Sequence, residues 1–429
     1  MHIAIVGAGI AGNTSAWSLS KRHQVTIYES ELRPGGHSHT VTVDYDGTEV
    51  AVDIGFIIFN QLNYPELTAL FAELGVETVA TEMSFAVTAD GGRFEWKGDS
   101  GNWLQVLGGL FVQPRNLLSP SFLRMLRDVP RFNAQSVADY SAGKVAGLTL
   151  GDYFRSQKFE PQLLTDYLAP MGAAIWSMPA ERMPDFPAEN FIAFFSNHCL
   201  LQYERPTWRT VKGGSQRYVE KLTSSFRDRI RFGCAATSVT RTPDGVVIDD
   251  SQGGRERYDQ VVIAAHSDQA LSMLADADER ERTTLGSIRY APNQIFLHRD
   301  IRLMPKSRRA WASWNFLRWQ RDDAPGNDVA ITYWMNRLQG IEESKPLFVS
   351  LNPPFEPDPA LTFGKYVKAH PQYDAGAFAA QKRIDEIQGQ RRTWFCGAWT
   401  GYGFHEDGLR SGRKVAEALG ASVPWQVPA

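Results

Sequence analysis

His2-Ile3-Ala4-Ile5-Val6-Gly7-Ala8-Gly9-Ile10-Ala11-Gly12 begins as an apolar run, passes through three glycines and enters a helical pattern that reaches about Lys21. The run reads as a strand buried on both faces, and the glycines as the tight turn between that strand and a helix. Gly7 turns the chain, Gly9 lets a phosphate approach backbone N–H groups, and Gly12 brings the helix against the strand, with Ala11 between them. Gln24 to Tyr28 then alternates as a second strand, and Glu29-Ser30 follows at its end, Glu29 standing 17 residues past Gly12. A carboxylate there accepts ribose hydroxyl groups and repels a 2′-phosphate. Together these features predict a dinucleotide-binding βαβ unit of an α/β fold.

The rest of the chain is large enough to carry more than that unit. Of 429 residues, 43% are hydrophobic and 22% charged, a folded, globular balance. The formal net charge of -3 gives no general attraction to nucleic acid, so none is expected as a partner. Cys199, Cys234 and Cys396 are too few and too scattered for a disulfide framework or a zinc site, and no metal is expected. A reducing cytoplasm fits this usage. Met1 runs straight into the first strand, so no secretory leader is expected, and no apolar run reaches spanning length.

Working outward, two glycine-centred hairpins are expected, one about Asp46-Gly47 and one about Asp90-Gly91-Gly92. Helices and proline breaks dominate from Asn102 to about Arg205. A buried-type strand at Gln260 to Ala265, a polar helix near Ala377 to Gln388, a strand at Trp394 to Cys396 and a helix from about Gly408 to Leu419 follow.

Two further segments separate FAD from NAD. Arg33-Pro34-Gly35-Gly36-His37 would let backbone run along an extended cofactor, with Arg33 offering a charge to phosphate. Near the other end, Gly397-Ala398-Trp399 leads through Gly401-Tyr402-Gly403-Phe404-His405-Glu406-Asp407 to Gly408-Leu409, whose N–H groups would meet an electron-rich ring edge.

On these residues, with Val211 to Ser215 and the block from Ala236-Thr237-Ser238-Val239 to Ala265, the sequence resembles the FAD-dependent amine oxidase and phytoene desaturase superfamily. The resemblance implies a discontinuous Rossmann-type FAD-binding domain, residues 1–80, 206–275 and 390–429. Residues 81–205 and 276–389 would form an interleaved α+β substrate domain. It also implies that Val239 lies beside the adenine and that the last helix points at the flavin. Asp53-Ile54-Gly55-Phe56, Phe59-Asn60 and Gly401 to Ser411 are similar to bacterial flavoproteins related to the flavin domain of plant cyclopropane fatty acid synthases. Similar proteins accompany fatty-acyl methyltransferases, including those of furan fatty acid formation. Two positions depart from the superfamily: His37 stands where arginine is usual, and Trp399 where an acid is usual.

The expected reaction is oxidation of a lipid acyl chain by hydride transfer to flavin N5. The alternatives are an amine oxidase, a flavin-dependent isomerase and a flavin-holding partner of a lipid methyltransferase. Histidines beside glycine loops are often hydrogen-bonded spacers, a reading that covers His37, His39 and His266. His405 borders the last helix and is the candidate acid/base, with Glu406 and Tyr402 as alternates. Two arginine-rich apolar stretches, Arg115 to Arg131 and Arg299 to Arg321, are expected to meet an anionic membrane at its inner face.

Overall fold

A computed structural model describes residues 1–98, 103–176, 179–202, 206–320 and 327–425. The opening strand, His2–Val6, lies at the centre of a five-stranded parallel sheet. Its order is Ile230–Arg231, Gln24–Tyr28, His2–Val6, Gln260–Ile263 and Thr393–Phe395. Ile5 faces Ile27 on one side and Val262 on the other, and all three are buried. Helices on both faces of a parallel sheet require such continuous apolar strands. Three distant parts of the chain therefore build one layer.

Helix Ile10–Leu19 is buried along its whole length. It packs against the C-terminal helix His405–Ala418 so closely that a Cβ on Gly412 would lie 2.2 Å from the Ala11 carbonyl oxygen. Ser15 Oγ donates to the Gly412 carbonyl at 2.9 Å and fixes that crossing.

A second, seven-stranded sheet runs Thr362–Gln372, Arg289–His298, Phe348–Leu351, Asn327–Trp334, Trp314–Gln320, Phe85–Ala89 and Phe94–Gly98. One edge holds Thr362–Gln372, which approaches the Gly35-Gly36 loop; the other holds Phe94–Gly98, covered by helices. Those helices include Trp103–Leu110 and Pro120–Ser141; helix Ala188–Asn197 packs on the latter, and the helical region is rich in aromatic contacts: Trp176 stacks on Phe186 at 4.6 Å and Phe191 on Phe195 at 4.0 Å.

The hairpin about Asp46-Gly47 forms as expected, with φ of 51° and 86° at its two turn residues. The last helix starts at His405, three residues before the expected Gly408, because the Phe404 carbonyl already accepts the Gly408 N–H. The expected helix 377–388 ends at Gln381 and gives way to a short turn at Ile384–Glu386. The second arginine stretch is not a row of exposed rings. Trp311 and Phe316 are buried, Arg308 lies over Trp311 at 3.8 Å, and Arg302 and Arg318 pair with Asp300 and Asp166. Arg321 lies outside the described residues. Among the described residues, no helix is long and apolar enough to cross a membrane, and no cluster of ligands could hold a metal ion.

Candidate functional site

The glycine turn has the geometry its sequence demands. Gly7 adopts φ 98° and donates its N–H to the Tyr28 carbonyl, coupling the first two strands. A Cβ on Gly12 would lie 1.9 Å from the Gly7 carbonyl oxygen, so only glycine lets the helix begin there. Gly9 differs: nothing lies within 4 Å of a Cβ built on it. The Asn13 N–H makes the first helical hydrogen bond, to Gly9, so the amides of Ile10, Ala11 and Gly12 precede the helical ladder. Open space beside Gly9, amides without helical partners and no acid in the first turn suit a pyrophosphate.

Glu29 closes the far side of this turn. Its Oε2 accepts the Ala8 N–H at 2.8 Å, and its Oε1 accepts the Glu31 N–H at 2.8 Å and the Ser30 hydroxyl at 3.3 Å. The carboxylate thus fixes the turn at the end of the second strand. Over the turn lies the Gly35-Gly36 loop: the Gly35 N–H donates to the Ala8 carbonyl, and a Cβ on Gly36 would sit 3.2 Å from Gly9 Cα. Arg33 does not project a free charge. Its guanidinium donates to the carbonyls of Pro34, Gly36 and Ser38 and pairs with Glu31, so it closes its own loop.

The cation that sequence reasoning missed is Lys368. Its Nζ is 3.1 Å from Glu31 Oε1 and 3.4 Å from the Gly36 carbonyl, reaching in from the edge strand of the second sheet. Beside it three imidazoles from three elements converge, with His37 5.2 Å from His370 and 6.2 Å from His266, centroid to centroid. His266 stacks on Tyr290 at 4.4 Å. Burial holds all three below the usual histidine range, most strongly His37, and His370 is pushed down to about 4 with Lys368 and His266 adding to the effect. They are neutral at pH 7. Asn352 Nδ2 donates to Asn293 Oδ1, which leaves Asn293 Nδ2 to donate to His370 Nδ1. The His370 proton is thereby placed on Nε2, making that atom a donor. His37 Nε2 is buried and has no hydrogen-bond partner.

The C-terminal motif is arranged differently from the sequence expectation. His405 is buried, with Nε2 2.7 Å from Ser38 Oγ and 3.0 Å from the Tyr218 hydroxyl, and Phe56 covers its ring at 3.8 Å. Burial pushes it down to about 3. It ties the last helix to the glycine loop. The Glu406 carboxylate turns away, accepting the N–H groups of Glu66 and Leu67 at 2.9 Å each, and burial raises it to about 7. Asp407 accepts the N–H groups of Tyr402 and Phe404. Tyr402 joins an aromatic wall with Phe194 and Phe378, at 5.4 and 6.1 Å. The Gly408 amide is spent inside the helix and Leu409 is fully buried, so the amides that precede the helical ladder are those of His405, Glu406 and Asp407. Gly397 accepts the Ser411 hydroxyl and donates to it, locking strand to helix.

The Val239 carbonyl accepts the Ala275 N–H at 3.1 Å, which leaves it one lone pair. Just before the segment that holds Val239, the N–H groups of Gly233 and Cys234 donate to the Glu31 and Glu29 carbonyls. Asp53, which the sequence marks only through a family resemblance, is fully buried. It accepts Thr40 Oγ at 2.6 Å, the Ser215 N–H and hydroxyl, and Gln339 Nε2 at 3.0 Å, so one carboxylate gathers three separate segments.

Comparison with known proteins places this architecture. Across nearly the whole chain the fold is similar to that of a putrescine oxidase bound to putrescine, with 15% identity, a TM-score of 0.65, and 98% of this chain and 99% of that one covered. It is similar also to a fatty acid isomerase from P. acnes that produces CLA (15%, TM-score 0.63, 97% and 98% covered). A putative protoporphyrinogen oxidase from Exiguobacterium gives 14%, a TM-score of 0.63, and 97% and 98% covered. No curated protein matches the sequence. Residues 10–292 match the model of the flavin-containing amine oxidoreductases, a span that begins at the helix after Gly9 and holds Gly12, Glu29, the Gly35-Gly36 loop and Asp53. The chain belongs to that family, and FAD is its cofactor.

Proposed function

We propose that this flavoprotein dehydrogenates a lipid acyl chain. The observation that carries the reading is the charge of the groups gathered at the junction of the two sheets. They are neutral imidazoles and one lysine whose charge is met by Glu31, while Glu406 and Asp407 are turned into backbone amides. An ammonium substrate would meet a carboxylate, Glu31, that is already paired with Lys368 and Arg33, whereas an uncharged chain meets the aromatic wall of Phe194, Phe378, Tyr402 and Phe404.

In this reading the first sheet, with its three chain segments, is a Rossmann-type FAD-binding domain, and the seven-stranded sheet with its helices is the substrate domain. Bound FAD supplies the two-electron sink. The chain's own residues do the rest. The amides of Ile10 to Gly12 hold the pyrophosphate, and His370 Nε2–H and Lys368 favour negative charge arriving beside them. As a hydride leaves one carbon, the proton of its neighbour becomes acidic enough for a weak base. His37, neutral and with Nε2 unpartnered, takes it, and a double bond forms.

The test is mass spectrometry of lipids from cells with and without the protein. Loss of two hydrogens from an acyl chain is the expected result. Hydrogen peroxide release with small amines would replace this reading with amine oxidation, and a product of unchanged mass would replace it with isomerisation.

A further inference from the structure

Twelve large hydrophobic side chains are exposed among the described residues, and four fall between positions 107 and 123: Leu107, Leu117, Leu118 and Leu123, with Leu118 84% exposed. They ride on three consecutive pieces, Trp103–Leu110, Pro114–Leu118 and the start of Pro120–Ser141. The inner side of this unit is fully occupied. Phe122 is buried against Phe94 and Phe111, Asn116 donates to the Glu95 and Leu110 carbonyls, and Gln113 donates to the Gly92 carbonyl while accepting the Glu95 N–H. The leucines are therefore held outward by a fixed scaffold.

The charges around them have one sign in excess. Arg115, Arg124, Arg127 and Arg131 are exposed, against two carboxylates: Asp128, buried beneath Arg127 and Arg131, and Glu160, which pairs with Arg124. Arg115 is held by the neutral Gln113 Oε1. Exposed leucines flanked by surplus arginines match the two layers of a bilayer surface, acyl chains below and phosphates above.

We propose that this face docks on an anionic phospholipid bilayer, with the leucines entering the interface and the arginines meeting lipid phosphates. It is separated from the His370 strand by the width of the second sheet, six strand intervals or about 29 Å. Docking is read without turnover, so it stands or falls separately from the proposed reaction.

The FAD-loaded protein is sedimented with phosphatidylcholine vesicles made with and without phosphatidylglycerol. Binding is expected only to the anionic vesicles, falling as salt rises. The double variant Leu117→Asp/Leu118→Asp should bind about tenfold more weakly while keeping the parent flavin spectrum and Tm; Ile301→Asp, another exposed aliphatic site, should bind like the parent. Arg115→Ala/Arg124→Ala should weaken binding and flatten its salt dependence. Parent-like binding by the leucine variant, or no binding of the parent at low salt, overturns the proposal. So does a parent dimer that the leucine variant breaks in the absence of vesicles.

Discussion

His405 Nε2 lies 2.7 Å from Ser38 Oγ, which joins the last helix of the chain to the glycine loop laid down near its start. The imidazole is buried and pushed down to about 3, against about 6.5 in an unfolded chain. The unfolded chain therefore takes up a proton first. The stability given by neutral His405 is fully present above about pH 6.5 and is lost as pH falls toward about 3, by roughly 1.4 kcal/mol per unit. His405→Phe keeps the stack on Phe56 and removes the titration. Thermal melts of both proteins should show the parent's stability dropping by about 2 kcal/mol relative to the variant between about pH 7 and about pH 5. An unchanged difference would show that the ring titrates normally.

Proton transfer is assigned instead to His37. His37→Gln should retain FAD and slow substrate-driven flavin reduction by about 10²- to 10⁴-fold in stopped flow. His405→Phe, measured alongside, should stay within about tenfold of the parent. The reverse order of effects would return the base to the last helix.

Gly9 and Gly12 stand three residues apart and make opposite demands. Gly12→Ala drives a Cβ to 1.9 Å from the Gly7 carbonyl, so it should unfold the turn and give little soluble protein. Gly9→Ala meets no protein atom within 4 Å, and its φ of -76° suits alanine. It should fold normally without cofactor, yet bind FAD at least about tenfold more weakly, as read by flavin fluorescence during titration. Equal FAD affinity would mean that the space beside Gly9 is not where the phosphates lie.

Glu406→Ala removes the acceptor of two buried N–H groups at the start of helix Pro65–Glu73. The cost should be about 2–4 kcal/mol in denaturant unfolding, with the flavin spectrum of the folded fraction unchanged. A spectral shift without a stability loss would point to contact with the cofactor.

Lys368→Gln takes a positive charge from beside His37, His39, His266 and His370, each of which it holds down. Their pKa values should rise in NMR titration. The flavin midpoint potential should fall by about 30 mV, or about 1.4 kcal/mol for a two-electron couple. A potential equal to the parent's would place Lys368 too far from the electron acceptor to influence it.

What could be read from sequence was what local stereochemistry decides. Gly7, Gly12 and Glu29 announce themselves because a strand-to-helix turn has few solutions, and Asp46-Gly47 because a two-residue hairpin needs positive φ. Lys368 and His370 gave no such signal, since they reach the glycine loop from an edge strand some 330 residues later, a meeting set by sheet order alone. Position misled for Glu406: it does border the helix start, but its side chain caps a different helix. In the arginine and tryptophan run after Arg299, cation–π stacking and strand packing bury Trp311 and Phe316 but leave Trp314 and Trp319 half-buried, a split set by tertiary packing.

The order of the parallel sheet also bears on how the chain is made. Strand His2–Val6 pairs with Gln24–Tyr28 almost at once, but its other neighbour begins only at Gln260. At roughly 5–20 residues per second, a ribosome needs about 12–46 s to cover that interval. Throughout it, one edge of an apolar strand is open to any extended segment that can pair with it. Until His405–Ala418 emerges, the helix after the glycine turn also lacks the partner that buries Ala11. The glycine turn is thus closed only when strand Gln260–Ile263 and helix His405–Ala418 have both packed against it.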